Sequence, residues 1–235
     1  MYRFSLFIII AGFFLVLMPF EAQAGIECHA KTPPRITVKP VQSNILYDFT
    51  KSKEDLNRID VDTISPYGPQ HKTDVSGLMS GAIQLKSNVS FAHETYKYLG
   101  RGCVYLKGVD VKIHLEPTIY IANDFEKGSC MYNAILTHEF KHVKEDQLII
   151  NKYTNLLGRA LDRVVNEQGE SFGPMRLHRM DETQLQVKDA IHRVVLKMND
   201  KLNKERRKRQ QAIDNIDEYK YVGNRCKSQN KRGRR

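Results

Sequence analysis

Cys130-Met131-Tyr132-Asn133-Ala134-Ile135-Leu136-Thr137-His138-Glu139-Phe140-Lys141-His142-Val143 is the stretch where the chain changes from strand-like to helical character. No Pro interrupts the sequence from Cys130 to Leu161, and apolar residues recur at helical spacing. One face carries Leu136, Phe140, Val143, Ile150 and Leu157; Met131, Ile135, Ile149 and Leu156 lie on roughly the opposite side. Two apolar faces predict a central helix, from about Met131 to about Asn166, covered on both sides. His138 and His142 lie off the main stripe, one turn apart on one side of that helix. That spacing lets two imidazoles reach one Zn²⁺, and the intervening Glu139 is placed as general base toward an activated water. An HExxH pentapeptide on a helix therefore predicts a zinc-dependent hydrolase chemistry.

Upstream, the chain reads as β-structure. Arg35 to Pro40 is strand-like after the Pro33-Pro34 break, and Ala82 to Phe91 alternates its faces. The clearest period-two pattern runs from Cys103 to Leu115, with Lys107-Gly108 as a turn or bulge, and Thr118 to Ala122 follows Glu116-Pro117. Residues 41–80 are mixed and polar, with turn signals at Pro66-Tyr67-Gly68-Pro69. Downstream, residues 168–174 break the first helix. A second helix from about Asp181 carries the stripe Val187, Ile191, Val194, Val195, Met198 and Leu202, extending toward Ile213 and Ile216. The expected class is α+β: a small N-terminal antiparallel or mixed sheet packed on a central HExxH helix, then a long antiparallel helical hairpin. The expected divisions are a β-rich part over 25–129, the helical part over 130–220 and a basic tail over 221–235.

The N-terminus predicts export. Met1-Tyr2-Arg3 is a charged n-region, Phe4 to Phe20 is apolar, and Ala22-Gln23-Ala24 is a small-x-small cleavage site. Cleavage after Ala24 would send the chain to a periplasm or the exterior; the alternative is an N-terminal membrane anchor. Cys28, Cys103, Cys130 and Cys226 make an even set in an exported chain, and none has CxxC spacing, so two disulfides are expected rather than a Cys metal site. The favoured pairing is Cys103 with Cys130, flanking one β-rich segment, and Cys28 with Cys226, tying the termini.

Net charge is +10, and from Lys201 onward 13 Lys/Arg stand against 4 Asp/Glu, so nearly all the excess lies at the C-terminal end. The runs Arg206-Arg207-Lys208-Arg209 and Lys231-Arg232-Gly233-Arg234-Arg235 lack interleaved aromatics, which argues against nucleic acid. A solvated face, or attraction to an anionic envelope polymer or membrane surface, is the expectation.

The strand–strand–helix order with His138-Glu139-Phe140-Lys141-His142 resembles the zincin metallopeptidases, the gluzincin type in particular, and is similar to secreted bacterial proteins with an HExxH helix. The resemblance spans about Cys103 to Asp146. It implies His138 and His142 as ligands of one Zn²⁺, Glu139 as general base, Thr118 to Ala122 as the edge strand that holds an extended peptide or protein substrate, and a third ligand on a later helix. Lys141 inside the motif and Lys144 after it depart from the pattern.

Several carboxylates compete for the third position. Asp146 lies eight residues from His138, about 12 Å along the axis. It is better placed as an outer acceptor for the ring N–H of His142. Asn166-Glu167 resembles the Asn-Glu pair of thermolysin-like enzymes but lies far past His142 on a continuous helix. If the second helix folds back about residues 170–174, the HExxH turn faces residues 200–206. Glu205 is then the chosen ligand, with Asp200 and Asp214 as runners-up and His114 as a strand alternative. Tyr120, Tyr153 and Tyr219 are oxyanion-donor candidates by residue type. The competing function is a non-enzymatic exported binding protein with a structural or relic metal site.

Overall fold

The computed structural model describes residues 25–60, 63–68 and 74–227. The expected signal segment, Pro69 and the last basic run lie outside those residues. Among the described residues, no helix is long and apolar enough to cross a membrane.

The fold is α+β. Its larger sheet is built on β5 (Arg101–Leu115), flanked by β1 (Arg35–Gln42) in parallel and β4 (Ile83–Tyr96) in antiparallel. The sheet is therefore mixed. β7 (Ser171–Arg176) adds to one end of β5. β5 is buried along most of its length, as its β-branched and apolar run predicts for a central strand. Lys107 is the residue left over where β4 changes register, since Ser90 pairs Gly108 and Phe91 pairs Leu106, so it forms a bulge and not a turn.

A second, smaller sheet orders β2 (Leu46–Asp48), β6 (Thr118–Ile121) and β3 (Gly77–Ser80), with β6 in the middle. This corrects the edge-strand assignment of Thr118 to Ala122. β6 is hydrogen-bonded on both sides, and the edge that faces the helix is β3, hidden in sequence by its four-residue length and polar surroundings.

After the short helix α1 (Lys53–Leu56), the HExxH helix α2 (Cys130–Gln168) starts at the cap of Ser129, whose hydroxyl accepts from the Tyr132 N–H at 3.2 Å. It runs under both sheets. Ile119, Ile121, Tyr132, Ile135 and Val143 form the core beneath the small sheet. Further along, Leu157, Leu161 and Val165 join Leu106, Val109, Val111 and the α3 (Met180–Ile213) residues Val187, Ile191 and Val195. The outer stripe is not wholly covered: Phe140 is 38% exposed and packs on Tyr47.

α2 and α3 make the expected antiparallel hairpin, but its pivot lies later. Ser171–Arg176 is taken up by pairing with β5, and a 3₁₀ turn at Leu177–Arg179 precedes α3. The partners of the HExxH turn consequently move about two helical turns down α3. Beyond α3 the short helix α4 (Ile216–Asn224) folds back onto the start of α2.

Two disulfides are present, Cys28–Cys103 and Cys130–Cys226, in place of the favoured pairing of Cys103 with Cys130 and Cys28 with Cys226. The reason is the length of β5. Cys103 stands at its beginning and Cys130 follows its far end. The strand from Cys103 to Leu115 alone spans about 40 Å at ~3.3 Å per residue. Bridged Cα atoms must lie within about 7 Å, and both observed bridges satisfy this at 5.6 and 5.7 Å. Disulfides of this kind point to an oxidising compartment.

Candidate metal centre

His138 and His142 stand on neighbouring turns of α2, buried to 11% and 9% side-chain exposure. Their third partner is Asp214, at the end of α3. The Nε2 atoms of the two rings are 3.3 Å apart. Asp214 Oδ1 lies 3.2 Å from the first and 3.3 Å from the second. Three ligand atoms thus form a nearly equilateral triangle. A tetrahedral ion bonded at ~2.0–2.1 Å has ligand–ligand edges of about 3.3–3.4 Å, so the triangle has the dimensions of one face of such a polyhedron.

The hydrogen bonds behind the rings determine which nitrogens face that centre. Gln210 gives its amide nitrogen to Asp146 Oδ1 at 2.6 Å and to the His142 carbonyl at 3.2 Å. Both are acceptors, so the Gln210 Oε1 must be what meets His142 Nδ1, and Nδ1 carries the proton. Glu218 Oε1 lies 3.3 Å from His138 Nδ1 and accepts from it. Both Nε2 atoms then present lone pairs to a carboxylate oxygen. Three lone pairs at this distance repel unless a proton or a cation stands among them. The donor set therefore fits a metal ion, and His138, His142 and Asp214 could hold one.

The charges agree. Burial acts against ionisation of Asp214, but the two imidazoles overcome it and hold its carboxyl well below the usual range. Burial likewise opposes the imidazolium forms of His138 and His142. Asp214 and Glu139 outweigh it and raise both pKa values. Glu139 is 4% exposed, and burial raises its pKa against the pull of the two imidazoles. The backbone of Met79 on β3, close by, works in the opposite direction and favours the carboxylate. Gly77 makes that approach possible: a Cβ there would lie 2.3 Å from Ile135 Cγ2 and 2.9 Å from Glu139 Oε1.

The centre opens into a cavity of about 360 Å³ lined by His138, Glu139, His142, Asp214, Tyr219 and residues 77–82. Tyr219 is the one oxyanion-donor candidate brought here. Burial, then the negative charges of Asp214 and Glu139, push its pKa up and keep it a neutral donor. Tyr153 instead donates to Glu205, and Tyr120 faces Lys51.

Glu205 is not at the centre. It lies two turns earlier on α3, where Lys152, Tyr153 and Arg209 bind it and lower its pKa. The later pivot of the hairpin accounts for the shift. Asp146 supports His142, but through Gln210 and not by direct contact, and its own oxygens take a two-point contact from Arg206 at 2.8 and 2.9 Å. Arg209 pairs with Glu145, so two of the four cations in the Arg206–Arg209 run are used inside the fold. Lys141 escapes the centre by pairing with Glu218, which serves His138 as well. His114 pairs with Gln84 across the sheet, outside the cluster. Asp200 and Glu167 are outside it as well.

Asp214 had a local signal. Asn215 accepts from the Glu218 N–H at 3.0 Å, an N-cap that starts α4 and ends α3. The residue before such a cap leaves the helix, and its carboxylate is free to turn inward. No family model, curated protein or solved structure matched this chain in comparison.

Proposed function

We propose that this protein is an exported zinc-dependent hydrolase acting on peptide bonds. The observation that carries the reading is the triangle of His138 Nε2, His142 Nε2 and Asp214 Oδ1, its edges matching those of a tetrahedral zinc site. Among the described residues the cluster has three ligating side chains, and the adjoining cavity leaves room for a fourth, exchangeable position. Three protein ligands with an open position favour chemistry over a structural role.

Zinc held there would supply Lewis acidity, lowering the pKa of a water and polarising a carbonyl. The chain's own groups do the rest. Glu139, buried beside the ligands with a raised pKa, accepts the water's proton and returns it to the leaving amine. Tyr219, neutral and in the same cavity, donates to the oxygen of the substrate carbonyl as charge develops there. β3 supports a peptide reading because it is an edge strand whose residues 77–80 line the cavity, so an extended chain can add to it. The two disulfides support export.

The test is cleavage of a mixed peptide library by the zinc-loaded protein, read by mass spectrometry. Glu139→Gln should abolish cleavage and keep the zinc. Cleavage retained by that variant would eliminate Glu139 as the base.

A further inference from the structure

The turn that joins β4 to β5 carries apolar residues at its tip. Turns are ordinarily built from Gly, Pro, Asn, Asp and Ser. Here Lys97–Leu99 form a 3₁₀ turn, closed by Gly100 in the left-handed region with its N–H on the Lys97 carbonyl at 3.1 Å. Tyr98 is fully exposed and Leu99 is 63% exposed. Gly100 alone meets the backbone requirement of the turn, so local folding does not call for Tyr98 or Leu99. The partly exposed Leu177 lies alongside, its N–H donating to the Gly100 carbonyl at 3.2 Å.

Cations surround this tip. Arg101 on β5 stands directly across from Arg176 on β7, a like-charge pairing that costs stability in a sheet. Among the described residues neither guanidinium has an ion-pair partner. Both line an open cavity of about 310 Å³ together with His178 and Arg179. Lys97 begins the turn itself. Residues 97–101 and 174–182 hold four Lys/Arg against two Asp/Glu, and both acids are engaged: Glu182 with Arg179 at 3.4 Å and Asp181 with Gln184 at 3.4 Å. Glu94, further along β4, accepts from the Tyr105 hydroxyl at 3.0 Å. The uncompensated charge at the tip is therefore positive.

From this we infer that the β4–β5 turn and the adjoining end of β7 form a docking surface for an anionic phospholipid membrane. Tyr98 and Leu99 enter the headgroup region, while Arg101 and Arg176 bind lipid phosphates. A soluble polyanion would satisfy the arginines but leave Tyr98 and Leu99 in water, so the apolar tip selects a bilayer. Tyr suits that boundary, with an apolar ring and a hydroxyl for the headgroup level. Arg suits phosphate through its paired N–H donors. The surface is separate from the Arg206–Arg209 run, where Arg206 and Arg209 are used inside the fold. It is also remote from the metal centre. The 34 residues of α3 lead from the tip to Asp214, about 50 Å at ~1.5 Å per residue. Docking leaves the metal ligands free, and it does not depend on the hydrolase reading.

The chain has no Trp, so Tyr98→Trp puts a single fluorescent reporter on the tip. The exported chain, Gly25 to Arg235, is mixed with phosphatidylcholine vesicles that contain either no anionic lipid or about one-third phosphatidylglycerol. On the anionic vesicles the reporter's emission should shift to the blue and be quenched by brominated acyl chains. With soluble polyphosphate or inorganic phosphate it should do neither. By vesicle sedimentation, Tyr98→Ser/Leu99→Ser should weaken binding by about 10- to 100-fold, the range for withdrawing such a side chain from water. Arg101→Gln/Arg176→Gln should weaken it by about 25-fold, roughly fivefold for each charge near an anionic surface. Both variants should unfold no earlier than the parent, since all four side chains are exposed. Emission that does not move on anionic vesicles, or binding by Tyr98→Ser/Leu99→Ser at parent strength, would overturn the docking surface. Tighter binding to polyphosphate than to vesicles, with no blue shift, would overturn it too and assign the arginines to a soluble polyanion.

Discussion

Gly77→Ala is a one-carbon perturbation with consequences that follow from distances. The new methyl would sit 2.3 Å from Ile135 Cγ2, 2.9 Å from Glu139 Oε1 and 3.3 Å from Glu139 Cγ. Ile135 is 3% exposed, within the core under the small sheet, and β-branched side chains on helices have one strongly preferred χ1. It cannot swing aside cheaply, so β3 must move off α2. Overpacking of this kind costs about 1–3 kcal/mol. A chain of this size loses about 2–4 °C of Tm per kcal/mol, which gives a fall of roughly 2–12 °C. The functional cost is separate: the new methyl presses directly on the Glu139 side chain, so it displaces the carboxylate. Misplacement by about 1 Å is worth about 100-fold in rate. The ligands His138, His142 and Asp214 are untouched, so zinc content stays at the parent value. Gly158→Ala is the control, since its Cβ meets nothing within 4 Å in the middle of α2, and it should raise stability by up to about 1 kcal/mol. The assays are thermal unfolding, metal analysis and peptide hydrolysis. A Gly77→Ala protein that melts within a degree of the parent and hydrolyses at full rate would refute the close approach of β3 to Glu139.

Removing either disulfide frees a long loop, with separations of 75 and 96 residues, and in the chain-entropy picture each is worth about 4–5 kcal/mol. Their functional effects should differ. Cys130→Ser/Cys226→Ser releases α4, which has no buried residue of its own yet carries Glu218 and Tyr219, so turnover of the still-folded protein should drop. Cys28→Ser/Cys103→Ser should lower Tm and leave that turnover near the parent value; equal losses of turnover in both pairs would contradict this. The pH dependence has opposite signs with and without metal. In the metal-free protein the raised pKa values of His138 and His142 give stability that is full below the ordinary imidazole value of about 6.5 and is lost as pH rises through the higher folded values. Zinc needs both rings neutral, so its stabilising effect grows over that same rise. The Tm gain on adding zinc should widen from pH 6 to pH 8, and a gain that shrinks would disprove the ligand assignment.

The period of the sequence made the large elements legible. β5 alternates, α2 and α3 carry helical stripes, and His138 and His142 come together on one side of α2. The short strands were not legible. β2 and β3 have three and four residues, too few for a pattern, and exist because β6 lies between them. The third ligand failed for a related reason. A Gly-Pro pair at Gly173-Pro174 correctly marks the break between the helices, but only tertiary pairing with β5 turns Ser171–Arg176 into a strand. Those few residues moved the hairpin register from Glu205 to Asp214. The disulfides went the same way: flanking one segment in sequence placed Cys103 and Cys130 at opposite ends of a long strand.

X-ray absorption at the zinc edge, on protein loaded with one equivalent of zinc, bears most directly on the centre itself. One ion per chain with only N and O neighbours at ~2.0–2.1 Å, two of them imidazoles, is expected. That signature should vanish in His138→Ala and Asp214→Ala and persist in Glu205→Ala. Sulfur neighbours, an ion retained without Asp214 or lost without Glu205, or a chain that takes up no metal at all would contradict the site.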